Sequence, residues 1–408
     1  MNSKIKIKNF GPIKNGYDQD DGYMSIGKLS VFCGTQGTGK STLVKLYSTF
    51  IWIEKALSRG DIKAEYVEQY NRFVKKYLAY QGINEYVKKE TFIHFIGEVF
   101  EFIYEYGRLK IHMRAEVSLY QRPQIIYFPA ERNLISVIES ASGVKAMPGA
   151  LSSLLEDYNV ACRSLSQDLA LPVNDAKFHF DKLNKVGSVI GSDYRVRMSE
   201  ASSGLQSVTP LFVTMCYLSD SVHNGVDIGG NKFSADEKSR IDKRINDILL
   251  DDSLDDEMRT TLIKKLSDNK NMRLISIVEE PEQNLYPASQ ELILYNMIRL
   301  SANGDDQLML TTHSPYILNY LMLSIKAKQV ELIVGTNNGN INEIDGIVPA
   351  SARINGSEVS VYQMDLDGSI RMLEKYDDVP SDDNFLNQLL MSVNTKYSKL
   401  VEIQSQYE

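Results

Sequence analysis

Gly34, Gly39, Lys40 and Ser41 fill the spacing G-x-x-x-x-G-K-S, and residues of those types at that spacing can hold a phosphate chain. Glycines let backbone N–H groups turn inward around an anion, and a helix opening at the end of the loop adds its partial positive charge. An apolar run, Leu29 to Cys33, precedes the loop, and Thr42-Leu-Val-Lys-Leu-Tyr follows it at helical spacing. In that setting Gly34, Thr35, Gln36, Gly37, Thr38, Gly39, Lys40, Ser41 and Thr42 are expected to wrap a nucleoside triphosphate. Lys40 would neutralise the β- and γ-phosphates, and Ser41 would ligate Mg²⁺. A bare Gly-rich turn is the simpler alternative, and it loses ground once the other reactive residues are counted.

Ile275-Ser-Ile-Val-Glu279-Glu280-Pro281 is an apolar strand that ends in two acids. A phosphoryl-transfer site needs one carboxylate in the shell of the metal and another to polarise the attacking water. Glu279 fits the first role and Glu280 the second. His313 follows the next apolar strand, where an imidazole can hydrogen-bond the γ-phosphate and report its presence. Standing alone, it would be read as a cap or a core residue. Ser199-Glu-Ala-Ser202-Ser203-Gly204-Leu-Gln206 opens a helix over 208–218. Serines with a glycine at a helix N-terminus make an anion site, although an ordinary N-cap uses the same residue types.

The elements that must position these groups alternate strand and helix, so the chain reads as α/β. Residues 1–53 hold a β-rich edge, from Ile5 to Ile26, and the phosphate loop. Over 54–107, Tyr66, Tyr70, Phe73, Tyr77 and Tyr80 step by four, three, four and three, and Ile93, Ile96, Phe100 and Ile103 form a second stripe. This spacing predicts an inserted helical hairpin, with the rings either packed within it or offered as a docking surface. Period two returns at Leu109, Ile111 and Met113, and residues 108–233 continue the head through Ile125–Phe128, a helical stretch and strands turning at Gly187 and Gly191. Residues 234–270 read as a second, charged helical insertion. Residues 271–350 hold the strands that end in Glu279 and just before His313, and 351–408 a hairpin near Gly368 followed by a helix from Asn384.

A chain of 408 residues can bury a large core, and its net charge of −8 argues against a broadly basic nucleic-acid coat. Cys33, Cys162 and Cys216 are scattered and odd in number, which fits small buried hydrophobes in a reducing compartment. The Lys/Ile alternation at the N-terminus is a strand rather than a signal peptide, and no apolar run is long enough to cross a bilayer. A cytoplasmic protein is expected.

Together these segments resemble the ABC-type ATPase superfamily. Gly34–Thr42 is similar to Walker A, Ser202-Ser-Gly204-Leu-Gln206 to a divergent signature motif, Ile275–Glu280 to Walker B with its catalytic glutamate, Glu282-Gln-Asn-Leu-Tyr-Pro287 to the D-loop and His313 to the switch histidine. The signature departs from L-S-G-G-Q, since Ala201 replaces Leu, Ser203 replaces the first Gly, and Leu205 intervenes before Gln206. Gln121 and Gln124 are candidates for a Q-loop, and neither is assigned. Lys8-Asn-Phe-Gly-Pro-Ile13, Phe128-Pro-Ala-Glu-Arg132 and Thr312-His-Ser-Pro-Tyr316 resemble the bacterial branch related to RecF, SMC and OLD proteins. Within it they are most similar to the stand-alone ATPases of anti-phage systems such as Septu and PARIS.

The resemblance implies an α/β ABC-ATPase head that closes as a dimer around ATP, the loop of one copy facing Ser202, Ser203, Gly204 and Gln206 of the other. It further implies a sensor or scaffold for a separate effector, a nuclease or toxin, because about ninety residues follow His313, too few for the nuclease domain of OLD proteins. The competing readings are a RecF/SMC-like DNA-repair or chromosome-maintenance ATPase that binds DNA directly, and the ATP-driving subunit of a membrane transporter. The missing long coiled coil weakens the SMC reading, and the divergent signature weakens the last.

Overall fold

The computed structural model describes residues 3–115, 120–138, 147–224, 273–335 and 341–406. The Lys/Ile alternation at the start gives a strand with one buried face. β1 (Ser3–Phe10) buries Ile5, Ile7 and Phe10 and turns Lys4 and Lys8 to solvent. It pairs antiparallel with β3 (Met24–Ile26) and β5 (Val87–Ile96), and β6 (Phe100–Glu105) and β7 (Arg108–Met113) complete a five-stranded antiparallel sheet.

A second sheet holds the predicted chemistry. β8 (Pro123–Phe128), β13 (Arg273–Glu279), β14 (Gln307–Thr312), β4 (Leu29–Gly34) and β15 (Val359–Met364) run parallel in that spatial order. β16 (Ser369–Met372), antiparallel to β15, and β2 (Gly16–Tyr17) close one edge. Every residue of β4, β13 and β14 is buried, as expected of parallel strands covered on both faces.

Alternate residues of these strands enter two cores. Phe32, Ile275, Ile277 and Met309 face α1 (Lys40–Arg59), which lies between this sheet and the antiparallel one. Phe50 of α1 stacks on Phe95 of β5, with ring centroids 5.1 Å apart. Burying a side chain of that size stabilises by about 1.5–3 kcal/mol. Val31, Cys33, Leu274, Val278, Leu308 and Leu310 face the opposite core. There they meet α4 (Gly149–Ser164), α5 (Ser203–His223), α6 (Pro287–Leu300) and α7 (Pro315–Val334). A small antiparallel sheet, β9 (Leu169–Ala170), β10 (Lys177–Asp181), β11 (Val186–Ile190) and β12 (Arg195–Arg197), packs against α4 and leads into α5. The short helices α2 (Ala64–Glu68), α3 (Leu134–Val137) and α8 (Ile341–Ile347) and the C-terminal α9 (Phe385–Ser405) complete the described elements used below. No helix among the described residues is long and apolar enough to cross a membrane.

The helical hairpin predicted over 54–107 is not formed. α1 runs on to Arg59, short helical turns follow to Leu78, and residues 87–105 are the strands β5 and β6. The buried residues there alternate, Thr91, Ile93 and Phe95 on β5, Phe102 and Tyr104 on β6, and such β-branched and aromatic runs favour a sheet. The predicted ring stripe is also broken. Tyr70 and Asn71 take positive φ (57° and 55°), so Phe73 and Tyr77 are buried while Tyr66, Tyr70 and Tyr80 are exposed. The turn expected at Gly187 lies at 182–185, and Gly187 itself sits within β11. The segment 351–408 joins the sheet of the phosphate loop, because β15 pairs directly with β4 from Val359↔Leu29 to Met364↔Gly34. The charged insertion predicted over 234–270 lies outside the described residues.

Candidate functional site

The loop that joins β4 to α1 is built on three glycines of positive φ: Gly34 (145°), Gly37 (78°) and Gly39 (100°). At Gly34 no other residue fits, since a Cβ there would stand 2.3 Å from the carbonyl oxygen of Met364 on β15. Thr38 Oγ1 donates to Thr35 O at 3.0 Å and ties the loop across its width. Gln36 and Gly37 are exposed at the tip. Thr42 is buried, and Ser41 is partly exposed on the first turn of α1. Lys40 is buried, and its ammonium folds back on the loop, donating to Gly34 O (3.0 Å) and Thr35 O (2.7 Å). Burial pushes its pKa down to about 8, against the opposing pull of the Glu280 carboxylate. The ammonium's partners are carbonyls and an imidazole, so a polyanion in this cradle would supply the charge it lacks.

Sheet register brings the other candidates to the same edge. Glu279 lies opposite Thr311, and Thr312 opposite Cys33, so β13, β14 and β4 end side by side. The carboxyl ends of parallel strands are where ligands bind in open α/β sheets. Glu279 is buried, its Oε1 accepting the hydroxyl of Tyr127 and its Oε2 the N–H of Ala130 at 3.4 Å. Glu280 takes φ 44°, a conformation that costs a non-glycine residue about 1–3 kcal/mol. Its backbone is held from both sides: its N–H donates to Thr311 O (2.9 Å), and its carbonyl accepts from Arg132 Nη2 (2.9 Å).

Arg132 is fully buried and extends the clamp, donating from Nη1 to Glu279 O (2.7 Å) and from Nε to Ser207 O (3.1 Å). Burial brings its guanidinium down to about 10, so it stays charged at neutral pH. Four carbonyl dipoles, those of Pro129, Glu279, Glu280 and Ser207, accept from it.

His313 is fixed by Glu282, whose Oε1 accepts from the His313 N–H (2.7 Å) and from Thr312 Oγ1 (2.9 Å). Burial pushes the Glu282 carboxyl up. The imidazole stands between Lys40 and Glu280, with Nδ1 3.4 Å from Lys40 Nζ and Nε2 3.4 Å from Glu280 Oε1. An ammonium can only donate, so Nδ1 accepts and the ring proton sits on Nε2, where it faces the carboxylate. That hydrogen bond holds Glu280 below the usual carboxylate range. Glu280 is therefore an ionised carboxylate at neutral pH.

Ser202 and Ser203 are exposed at the start of α5, and Ser202 makes no side-chain cap. No hydrogen bond among the described residues joins Ser202, Ser203, Gly204 or Gln206 to the loop 34–42. Gln206 turns inward, its Nε2 donating to Ser199 O (3.0 Å) and Met198 O (3.3 Å), so its amide holds its own turn rather than joining the exposed serines. Gly204 packs on the turn that follows the two acids, where a Cβ would lie 2.9 Å from Asn284 O. Asn284 (φ 60°) donates from Nδ2 to Ser207 Oγ.

The structure thus gathers the loop, Glu279, Glu280 and His313, and leaves the α5 N-terminus apart. Tyr127 and Arg132 are the contacts to Glu279 and Glu280 that local sequence signals miss. Their trace is a polar side chain within and just after an apolar strand, Ile125-Ile-Tyr-Phe-Pro-Ala-Glu-Arg132. Gln124 lies opposite Leu274, at the far end of β8 from Glu279, which removes it as a Q-loop residue. The hard oxygen donors Ser41 and Glu279 are the groups suited to Mg²⁺.

Residues 257–318 match the AAA ATPase domain family, a segment that includes Glu279, Glu280 and His313. No curated protein sequence matches the chain. Among solved structures the chain is similar to the SMC head domain from Thermotoga maritima, at 9% identity and TM-score 0.38, covering 92% of this chain and 99% of that one. An Smc head domain with an extended coiled coil, bound to the C-terminal domain of ScpA derived from Pyrococcus furiosus, is 10% identical at TM-score 0.37, with 99% of both chains covered. An ATP-binding cassette of an ABC transporter in its ADP conformation is 13% identical at TM-score 0.33, covering 93% of each chain.

Proposed function

We propose that this chain is an ABC-type ATPase that binds ATP in the loop 34–42, hydrolyses it to ADP and phosphate, and closes as a dimer around it. The observation that carries the reading is the bridge from Lys40 through His313 to Glu280. An ammonium, an imidazole and an ionised carboxylate at one sheet edge support this division of roles.

The residues divide the work accordingly. The loop amides and Lys40 bind the phosphate chain, and Lys40 exchanges its bonds to Gly34 O and Thr35 O for phosphate oxygens. Glu280, pinned at a fixed backbone angle by Arg132, orients a water and takes its proton. His313, released from Lys40, takes a proton on Nδ1 and donates it in a hydrogen bond to a phosphate oxygen of the nucleotide. Mg²⁺ held by Ser41 and Glu279 would neutralise charge on the phosphates.

Ser202, Ser203 and Gly204 form the second half of the site in trans. Ser202 and Ser203 are exposed and Gly204 is half-buried, and all three sit at the N-terminus of a 21-residue helix with no hydrogen bond to their own chain's loop. The assembly acts as a cytoplasmic sensor or scaffold that holds or releases a separate effector of nuclease or toxin class in anti-phage defence. This last step rests on the resemblance of the quoted segments to Septu and PARIS ATPases. The test is to measure ATP turnover and mass in solution with and without ATP-Mg²⁺. ATP-dependent dimers that persist in Glu280→Gln and vanish in Lys40→Ala are expected, and a chain that stays monomeric with ATP overturns the two-copy site. Steeply salt-dependent DNA binding by the purified chain would replace the effector role with the DNA-clamp reading.

A further inference from the structure

A cavity of about 540 Å³ lies away from the phosphate loop, between α1, the turns around residues 76–81 and α4, with β8 at its back. Its aromatic wall is Trp52, Tyr77 and Tyr80. Trp52 and Tyr80 are 49% and 48% exposed, and the ring centroids of Trp52 and Tyr77 are 5.9 Å apart at 45°. Tyr80 is fixed in place, its hydroxyl bonded to Gly149 O (2.9 Å) and Ser153 Oγ (2.5 Å).

Two polar atoms in this wall are buried and have no partner: Gln81 Oε1 and Tyr77 Oη. Gln81 is 9% exposed and Tyr77 7%. A buried acceptor without a donor is costly, and Gln81 lines the cavity, so a turn of its side chain would present Oε1 to a guest. The lining holds two acids, Glu156 and Asp157, and one base, Lys76, and Lys55 acts on Asp157 from nearby. Nothing here favours an anion. Aromatic walls with a few fixed hydrogen-bonding groups are the usual make-up of a small-molecule site of this size.

We propose that this cavity binds a neutral planar heterocycle bearing an amino group, of the nucleobase or nucleoside class, with its ring against Trp52 and its amino group donating to Gln81 Oε1. The site also touches the catalytic edge, because Tyr127, which lines it, donates its hydroxyl to Glu279. Occupancy is therefore transmitted to Glu279 as a change in turnover; this second clause rests on the ATPase reading above.

Trp52 is the chain's single tryptophan, so its emission reports on the cavity directly. Adenosine, cytidine, inosine and uridine are titrated into the full chain and into Lys40→Ala, which removes the phosphate loop as a competing site. Adenosine and cytidine should give saturable changes in both proteins, at least about tenfold tighter than inosine and uridine, which lack the amino group. Gln81→Leu, which removes an unpartnered buried atom, should erase that preference, and Ala150→Phe should fill the space and abolish the response while the melting temperature holds. No saturable response from any probe, or inosine binding as tightly as adenosine, overturns the site. Tighter binding of AMP or of a short oligonucleotide than of adenosine overturns the neutral-ligand assignment. ATP turnover in the wild-type chain is then measured with adenosine present, and a change of about twofold or more is expected. Binding with unchanged turnover overturns the coupling alone, and binding in a chain without any turnover overturns the ATPase reading while the site stands.

Discussion

Lys40 and Glu280 face the two nitrogens of one imidazole: His313 Nδ1 is 3.4 Å from the ammonium and Nε2 is 3.4 Å from the carboxylate. In the proposed ATPase the cation that would bind phosphate and the carboxylate that would act as base are thus joined before any nucleotide arrives, and a ligand that draws Lys40 away must also loosen His313 from one side. The predictions below follow from this link and from the groups that hold it.

Nucleotide affinity should fall as pH rises through the Lys40 titration. In the free protein burial sets that pKa at about 8, whereas a bound polyanion favours the ammonium, so binding takes up a proton above pH 8. Affinity should be level below that value and drop by up to about tenfold per pH unit above it. Calorimetry at pH 7 and 9, in buffers of different ionisation enthalpy, reads both the drop and the proton. A flat profile would detach Lys40 from the ligand.

Glu280→Gln keeps the side chain's shape and loses the base. Turnover should fall by about 10²–10⁴-fold with ATP affinity retained, and ATP-bound dimers should accumulate on a sizing column. Normal turnover in this variant would strip Glu280 of its role.

Arg132→Met should be among the most damaging single changes outside the loop. It leaves the carbonyls of Glu279, Glu280 and Ser207 without their donor, a loss of about 2–5 kcal/mol. Urea denaturation reads the stability change. Arg132→Lys should recover little of it, because an ammonium cannot span the same fork of acceptors. Full recovery by lysine would reduce Arg132 to a simple buried charge.

Glu54 gives a stability effect unconnected with the site. It is buried on α1, its Oε1 accepting from Val99 N (2.8 Å) and Phe100 N (3.0 Å), and burial pushes its carboxyl up to about 7. The folded value lies above the ordinary 4.5, so the contribution is complete below pH 4.5 and is lost as pH rises through 7. The loss is about 3 kcal/mol at most between pH 5 and 8. Glu54→Gln keeps an acceptor oxygen for both N–H groups and should flatten that part of the denaturation profile. An unchanged pH slope would contradict this account.

The parts of the fold that are legible in the sequence are those carried by local signals. The apolar run into Gly34, the strand ending at Glu279, the helix after Ser202 and the hairpin before Gly368 each announce themselves within a dozen residues. Contacts between distant segments do not. Tyr127 reaches Glu279 across 152 positions and Arg132 reaches Glu280 across 148, and nothing in either segment names its partner. The spacing 93-96-100-103 mimics a helix because a strand, a turn at Gly97 and a second strand place apolar residues at those intervals by coincidence. The true signal is the alternation of Ile93 and Phe95, then of Phe102 and Tyr104. Nor does the sequence show that Lys40 rests on its own loop carbonyls, since that depends on how the strands bury it.

The pairing of β15 with β4 also sets a clock on biogenesis. The hydroxyl of Tyr362 on β15 bonds to Ser25 O, two residues separated by 337 positions, and the Gly34 turn is braced by Met364. A ribosome adding about 5–20 residues per second needs about 17–70 seconds to cover that interval. Throughout it the phosphate loop has emerged but lacks the strand that flanks it. The loop is thus without its flanking strand until β15 has been made, and a message cut short before β15 yields a loop of the right sequence without the Met364 brace behind Gly34.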